Sequence, residues 1–158
     1  MKQLLLICAV VALVGCASTP KAIPNSPEME AVIEAAIRKA AKKPTGELTK
    51  ADLEKVTRLS FSGKKLTEVP KGLEKLTQLR VLHLDRNQLT YVKGLEKLTQ
   101  LTRLYLTLNQ LTDVKGLEKL TKLERLVLMY NPDLTKVQMA ELKKALPKCK
   151  ISSSPPKK

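Results

Sequence analysis

From residue 56 to residue 134 one arrangement of apolar and polar positions recurs, with a period of 22 residues through most of its length. The stretch 79–101, LRVLHLDRNQLTYVKGLEKLTQL, returns almost unchanged as 101–123, LTRLYLTLNQLTDVKGLEKLTKL. Asn87, Asn109 and Asn131 mark the period. Self-similarity at a fixed spacing in this range signals a solenoid. Two local periods alternate within each copy. Leu82 and Leu84, two apart, face the same way in an extended strand. Leu95 and Leu98, three apart, point inward from one short helical turn, while Glu96 and Lys97 face water. A chain that coils fully stacks Leu82, Leu104 and Leu126 into one buried column and Leu84, Leu106 and Leu128 into the next. No coil buries its leucines alone; stacking creates the core. The asparagine stands where the chain leaves the strand. Its amide both donates and accepts, so it can satisfy turn backbone groups that no sheet reaches. Gly94 allows the tight bend that follows.

The phrase Leu79-x-x-Leu82-x-Leu84-x-x-Asn87-x-Leu89 recurs with Leu101, Leu104, Leu106, Asn109 and Leu111. A third copy carries Leu123, Leu126, Leu128 and Asn131, with Leu134 one residue late because Pro132 intrudes. This pattern resembles the short, bacterial, internalin-type leucine-rich repeat. The resemblance covers 56–134. It implies an α/β solenoid of about four coils, with parallel concave strands and brief helical turns outside. It also implies recognition of another molecule through the concave sheet, without catalysis. Members of the family bind many different targets, so the fold names no partner.

The ends depart from the pattern. In the first coil Leu59, Phe61, Leu66 and Val69 take the apolar places, but Lys64 replaces the asparagine and Pro70 lengthens the coil to 23 residues. Its turn must be satisfied in another way. Residues 28–43 have Met29, Val32, Ile33, Ala36, Ile37 and Ala40 at helical spacing. Ser26 can cap that helix, Pro27 suits its first turn, and Pro44 with Gly46 stops it. Thr49 then caps a second helix start, with Leu48 placed to staple onto Leu53. Residues 28–55 thus form a helical lid for the first coil. After the repeats, Thr135-Lys136-Val137-Gln138 is a capping box, opening a closing helix over 135–146. Cys149 and Ile151 add an extended segment to this second cap, 135–151. Residues 152–158, SSSPPKK, are expected to be a disordered tail.

The beginning of the chain carries a different signal. After Met1-Lys2, positions 4–14 are apolar for 11 residues, too short for a bilayer, which needs about 20. They read as the core of a secretory signal over 1–15. Leu13-Val14-Gly15-Cys16 resembles the bacterial lipobox, which implies lipidation of Cys16 and a membrane anchor. An ordinary signal cleaved near Ala17, or an uncleaved apolar start, is the competing reading; the order and spacing of all three parts favour the lipobox. Residues 16–27, with Pro20, Pro24 and Pro27, form an extended tether. Ala17, where Asp would resemble an inner-membrane retention signal, favours the outer membrane of a bacterial envelope. Removing the signal leaves Cys149 as the one unmodified cysteine, so an internal disulfide is excluded. Inert packing is the favoured role for Cys149, and intermolecular pairing stays open.

Little reactive chemistry is present. The chain has one histidine, no phosphate loop and no zinc-spaced cysteines, so neither an enzyme nor a metal or cofactor site is expected. Glu74, Glu96 and Glu118 form a carboxylate column flanked by Lys75, Lys97 and Lys119, which reads as a solvated charge ladder. The informative residues alternate with the buried leucines: Arg58, Val81, Arg103 and Arg125; then His83 and Tyr105; then Asp85, Thr107 and Met129; with Arg86 and Tyr130 beyond the strand ends. They differ between coils while the scaffold hardly changes, and arginine and tyrosine are enriched where proteins meet ligands. An unidentified protein or peptide is the expected partner. Four strands at about 4.8 Å spacing span only about 15 Å, less than a standard interface requires. Without Lys2 the charge is +13, so the rival function is electrostatic binding of anionic lipid headgroups, lipopolysaccharide or another polysaccharide. Export and scarce aromatics argue against nucleic acid.

Overall fold

The computed structural model describes residues 27–155. The expected signal over 1–15, Cys16 and the tether as far as residue 26 lie outside them. The described chain begins with helix α1 (Pro27–Ala41) and the short helix α2 (Lys50–Glu54). Strands β1 (Arg58–Ser60), β2 (Val81–His83), β3 (Arg103–Tyr105) and β4 (Arg125–Leu128) follow, separated by 3₁₀ turns at Leu73–Lys75, Leu95–Lys97 and Leu117–Lys119. Helix α3 (Lys136–Ala145) and strand β5 (Lys150–Ser153) close the array. The five strands form one parallel sheet in chain order.

The leucine columns are placed as their spacing predicts. Leu59, Leu82, Leu104 and Leu126 stand in register across β1 to β4, and Ile151 extends their row on β5. Leu82, Leu84, Leu104 and Leu106 are fully buried, as are Leu73, Leu76, Leu95, Leu98, Leu117 and Leu120 from the 3₁₀ side. Each turn begins at a glycine of positive φ: Gly72 at 90°, Gly94 at 100° and Gly116 at 97°.

The buried asparagines tie neighbouring coils together. Asn109 Nδ2 donates to Leu106 O of its own coil at 3.1 Å and to Leu84 O of the coil before at 3.0 Å. Its Oδ1 accepts from Leu89 N at 3.1 Å. Asn131 repeats the scheme with Leu128 O, Leu106 O and Leu111 N. Asn87 resolves the defect of the first coil. Its Oδ1 accepts from both Lys64 N at 3.0 Å and Leu66 N at 3.1 Å, and its Nδ2 donates to Phe61 O at 2.9 Å. The missing amide at position 64 is thus supplied from the next coil.

Two boundaries and one burial assignment differ from expectation. Helix α1 ends at Ala41, because Lys42 turns left-handed at φ 56° ahead of Pro44. Lys42 N then donates to Lys39 O and Lys43 N to Arg38 O, the paired bonds of a Schellman ending. Val32 of the predicted apolar stripe is exposed, whereas Ile33, Ile37 and Ala41 are buried in the core. The expected tail is ordered at its start: Ser152 and Ser153 belong to β5 and pair with Val127 and Leu128. The sheet therefore has five strands rather than four.

The N-terminal lid is held by Asp52. Its carboxylate accepts from Lys43 Nζ at 2.7 Å, Thr49 Oγ1 at 2.6 Å and Thr49 N at 3.1 Å. The Lys43 ammonium, then the Thr49 bonds, keep this carboxyl well below its usual range against the opposing effect of burial. One side chain thereby caps α2 and fastens it to the end of α1.

Candidate functional site

The residues left outside by the leucine register share one face. At the strand starts, Arg58, Val81, Arg103, Arg125 and Lys150 align. Ser60, His83, Tyr105, Val127 and Ser152 form the middle row. Asp85, Thr107 and Met129 follow two residues further on, partly buried.

Two rows interact. The His83 and Tyr105 rings stack with centroids 4.3 Å apart and planes within 1° of parallel. Asp85 Oδ1 accepts from Thr107 N at 3.0 Å, and its Oδ2 lies 3.5 Å from His83 Nδ1. Ser60 pairs with His83 in the sheet, but its hydroxyl contacts Ser62 Oγ at 3.4 Å. That leaves the serine without the base that would activate it. Among the described residues no group of three or more His, Cys, Asp or Glu side chains could hold a metal.

Beyond the strands each coil has a residue in the left-handed region: Gly63 (φ 68°), Arg86 (56°), Leu108 (57°) and Tyr130 (57°). Such a conformation disfavours side chains, and here the neighbouring coil holds it. Gly63 N donates to Asp85 O at 2.9 Å, Arg86 N to Thr107 O at 2.8 Å and Leu108 N to Met129 O at 3.0 Å. Where no further coil follows, Ser154 Oγ accepts from Tyr130 N at 2.7 Å. The twist throws the side chains outward, leaving Leu108 44% and Tyr130 61% exposed.

No family model and no curated protein matches the sequence. Solved structures do. Internalin C2 of Listeria monocytogenes is similar at 28% identity and TM-score 0.63, over 74% of this chain and 50% of its own. A leucine-rich repeat protein of Leptospira interrogans is 34% identical with TM-score 0.58, over 68% of this chain and 28% of its own. The fold is a leucine-rich repeat solenoid. The functional domain of InlJ from Listeria monocytogenes, which includes a cysteine ladder, is 26% identical with TM-score 0.57, over 75% of this chain and 25% of its own. The present repeats carry no cysteine at all. The chain spans half the length of the internalin C2 structure and about a quarter of the other two.

A concavity of about 780 Å³ lies away from the sheet along the flank of three coils. Five lysines and five acidic residues line it, Lys71, Lys93 and Lys119 among the first and Glu74, Glu96 and Glu118 among the second. Those three carboxylates are not merely solvated, as the sequence suggested. Each accepts from the glycine N–H two residues before it: Gly72 at 2.8 Å, Gly94 at 2.6 Å and Gly116 at 2.6 Å. Their work is to close the 3₁₀ turns, and the balanced charge gives the groove no preferred ion.

Every predicted concave residue falls on the sheet face or at its edge. Two neighbours escaped the sequence reading. Leu108 lies one period from Arg86 and from Tyr130, so the spacing contained it, but its leucine identity suggested core. Lys150 stands 25 residues after Arg125, because α3 interrupts the period, so only the strand pairing places it.

Proposed function

We propose that this chain is an exported, lipid-anchored leucine-rich repeat module that binds a protein or peptide through its concave sheet and catalyses no reaction. One observation carries the reading. The side chains that change from coil to coil emerge together on one face, while the inward set is nearly constant. Exposed Leu108 and Tyr130 at the edge of that face support it. The lipobox-like Leu13-Val14-Gly15-Cys16 supports acylation at Cys16 and residence in a bacterial envelope, with the outer membrane favoured. Acylation with two or more chains gives firm anchoring, where a single chain does not.

Dimensions restrict the partner. Five strands about 4.8 Å apart make a face about 19 Å wide, below the roughly 800 Å² that each side of a standard complex contributes. An extended segment or a projecting loop fits; a broad globular surface does not. Binding of anionic envelope components is the second reading, favoured by the charge of +13 without the signal.

A photo-reactive residue placed at Thr107 or at Lys97 of the full chain, in its native envelope, separates these readings. Adducts from position 107 and not from 97 are expected. Adducts from 97 alone would refute the concave site, and adducts from both that vanish together at moderate salt would favour the polyanion reading. Radiolabelled palmitate should enter the full chain and not its Cys16→Ala variant.

A further inference from the structure

The concave face is graded from one end of its strands to the other. At the starting end Arg103, Arg125 and Lys150 occupy three adjacent strands, with Arg58 two strands before them. All four are exposed, and among the described residues none of them makes an ion pair. Glu124 stands beside Arg125 on the rim without pairing to it. Asp85 on the same face is already engaged by Thr107 N and His83. Like charges opposite one another in a sheet are destabilising, and among the described residues no ion pair offsets this column. At the finishing end of the third and fourth coils the character reverses, with Leu108, Met129 and Tyr130, while the second coil keeps an exposed cation there in Arg86. The His83 and Tyr105 rings, stacked face to face on adjacent strands, stand between the two ends.

We infer that the concave site takes an acidic–apolar alternating peptide segment, laid across the strands over the edges of the stacked His83 and Tyr105 rings. The inference rests on the concave-binding reading and names its ligand class. An extended chain sends successive side chains to opposite sides. Lying across the middle row, it turns one set toward Arg103, Arg125 and Lys150 and the other toward Leu108 and Tyr130. Same-side residues repeat at about 6.6 Å, and long, flexible cationic side chains take up the difference from the strand spacing. Arginine forks also match carboxylates in two-bond geometry. A lipid headgroup or an acidic polysaccharide would satisfy the cations and leave the apolar edge uncovered. The flank groove, with its balanced charge, offers no equivalent.

The test uses labelled hexapeptides and fluorescence polarisation on the full chain. The probes are the alternating Glu-Leu hexapeptide, its blocked isomer Glu-Glu-Glu-Leu-Leu-Leu, hexaglutamate and the alternating Lys-Leu hexapeptide. The alternating Glu-Leu probe should bind about tenfold more tightly than any other, and Arg125→Ala or Leu108→Ala should each weaken it by about tenfold. Lys97→Ala should change nothing. Joint Arg103→Glu and Arg125→Glu substitution should transfer preference to the Lys-Leu probe, a gain that misfolding cannot produce. Equal binding of hexaglutamate, or of anionic vesicles, would overturn the inference in favour of a polyanion surface. Preference of the native chain for the Lys-Leu probe, or binding of no probe, would overturn it as well. In those cases adducts at position 107 still decide the concave reading on its own.

Discussion

Replacing Asn87 with alanine should destabilise the protein about twice as much as replacing Asn109, although the two asparagines occupy equivalent places. The difference follows from which backbone groups are left alone. Asn109→Ala removes bonds to Leu84 O, Leu106 O and Leu89 N. Leu84 O keeps Asn87 Nδ2 at 2.9 Å, and Leu106 O keeps Asn131 Nδ2 at 2.9 Å. Only Leu89 N loses its partner. Asn87→Ala strips Leu66 N and also Phe61 O, because no amide at position 64 stands behind that carbonyl. Exposed Lys64 can turn its N–H to water. At about 2 kcal/mol for each buried group left unpaired, the costs are about 4 and about 2 kcal/mol. Cavity and side-chain terms are alike in both variants and cancel in the comparison. Urea unfolding of the full chain, followed by circular dichroism, measures both. Each native asparagine donates to the carbonyl three residues before it, so Lys64→Asn should donate to Phe61 O. In the Asn87→Ala background it should recover about 2 kcal/mol. Equal costs for the two single variants, or no recovery in the double, would refute this assignment of the asparagine ladder.

Gly116→Ala should lower the melting temperature more than Gly72→Ala. Both residues have left-handed backbones, at 97° and 90°, worth about 1–2 kcal/mol against a side chain, but only at Gly116 would a Cβ meet Glu96, 3.4 Å from its Cβ; equal melting temperatures would contradict this. The Glu96 carboxyl is held below its ordinary value of 4.5 by its own backbone N–H first and then, against partial burial, by the Gly94 N–H, Lys119 and Lys97. Because the folded value is depressed, its stabilisation is complete above about pH 4.5 and is lost as pH falls through the lowered value. Glu96→Gln should therefore reduce the slope of urea midpoint against pH on the acid side, and an unchanged acid slope would count against the bond to Gly94. Burial pushes the Cys149 thiol up, opposed by a backbone bond from Leu126. At pH 8 iodoacetamide should react more slowly with the folded chain than with the chain in urea; equal rates would show an accessible thiolate.

The capping boxes show how far local pattern reached. Thr135 Oγ1 accepts from Gln138 N at 3.2 Å, and Gln138 Oε1 accepts from Thr135 N at 2.9 Å. Both partners lie three residues apart, so adjacent residues are enough to define the motif. The same holds for the leucine columns and for the concave rows, which follow from a strand period of two and a coil period of 22. Leu108 shows where pattern misled. Its residue type argues for burial, but the carbonyl of Met129 in the next coil holds its N–H and turns the side chain out.

By itself the sequence determined the solenoid, the inward leucines and the face on which the variable residues emerge, because each depends on a short period and on apolar burial. Tertiary structure alone decided the fifth strand, the pairing of Lys150 with Arg125, the service of Asn87 to two coils and the engagement of the Glu column by glycine N–H groups. Those features are bonds between groups about 20 or more residues apart in the chain, or bonds whose geometry needs a left-handed turn already formed. Repetition shows that coils stack. Which backbone groups then still lack partners, and which side chains supply them, is settled only by the stack.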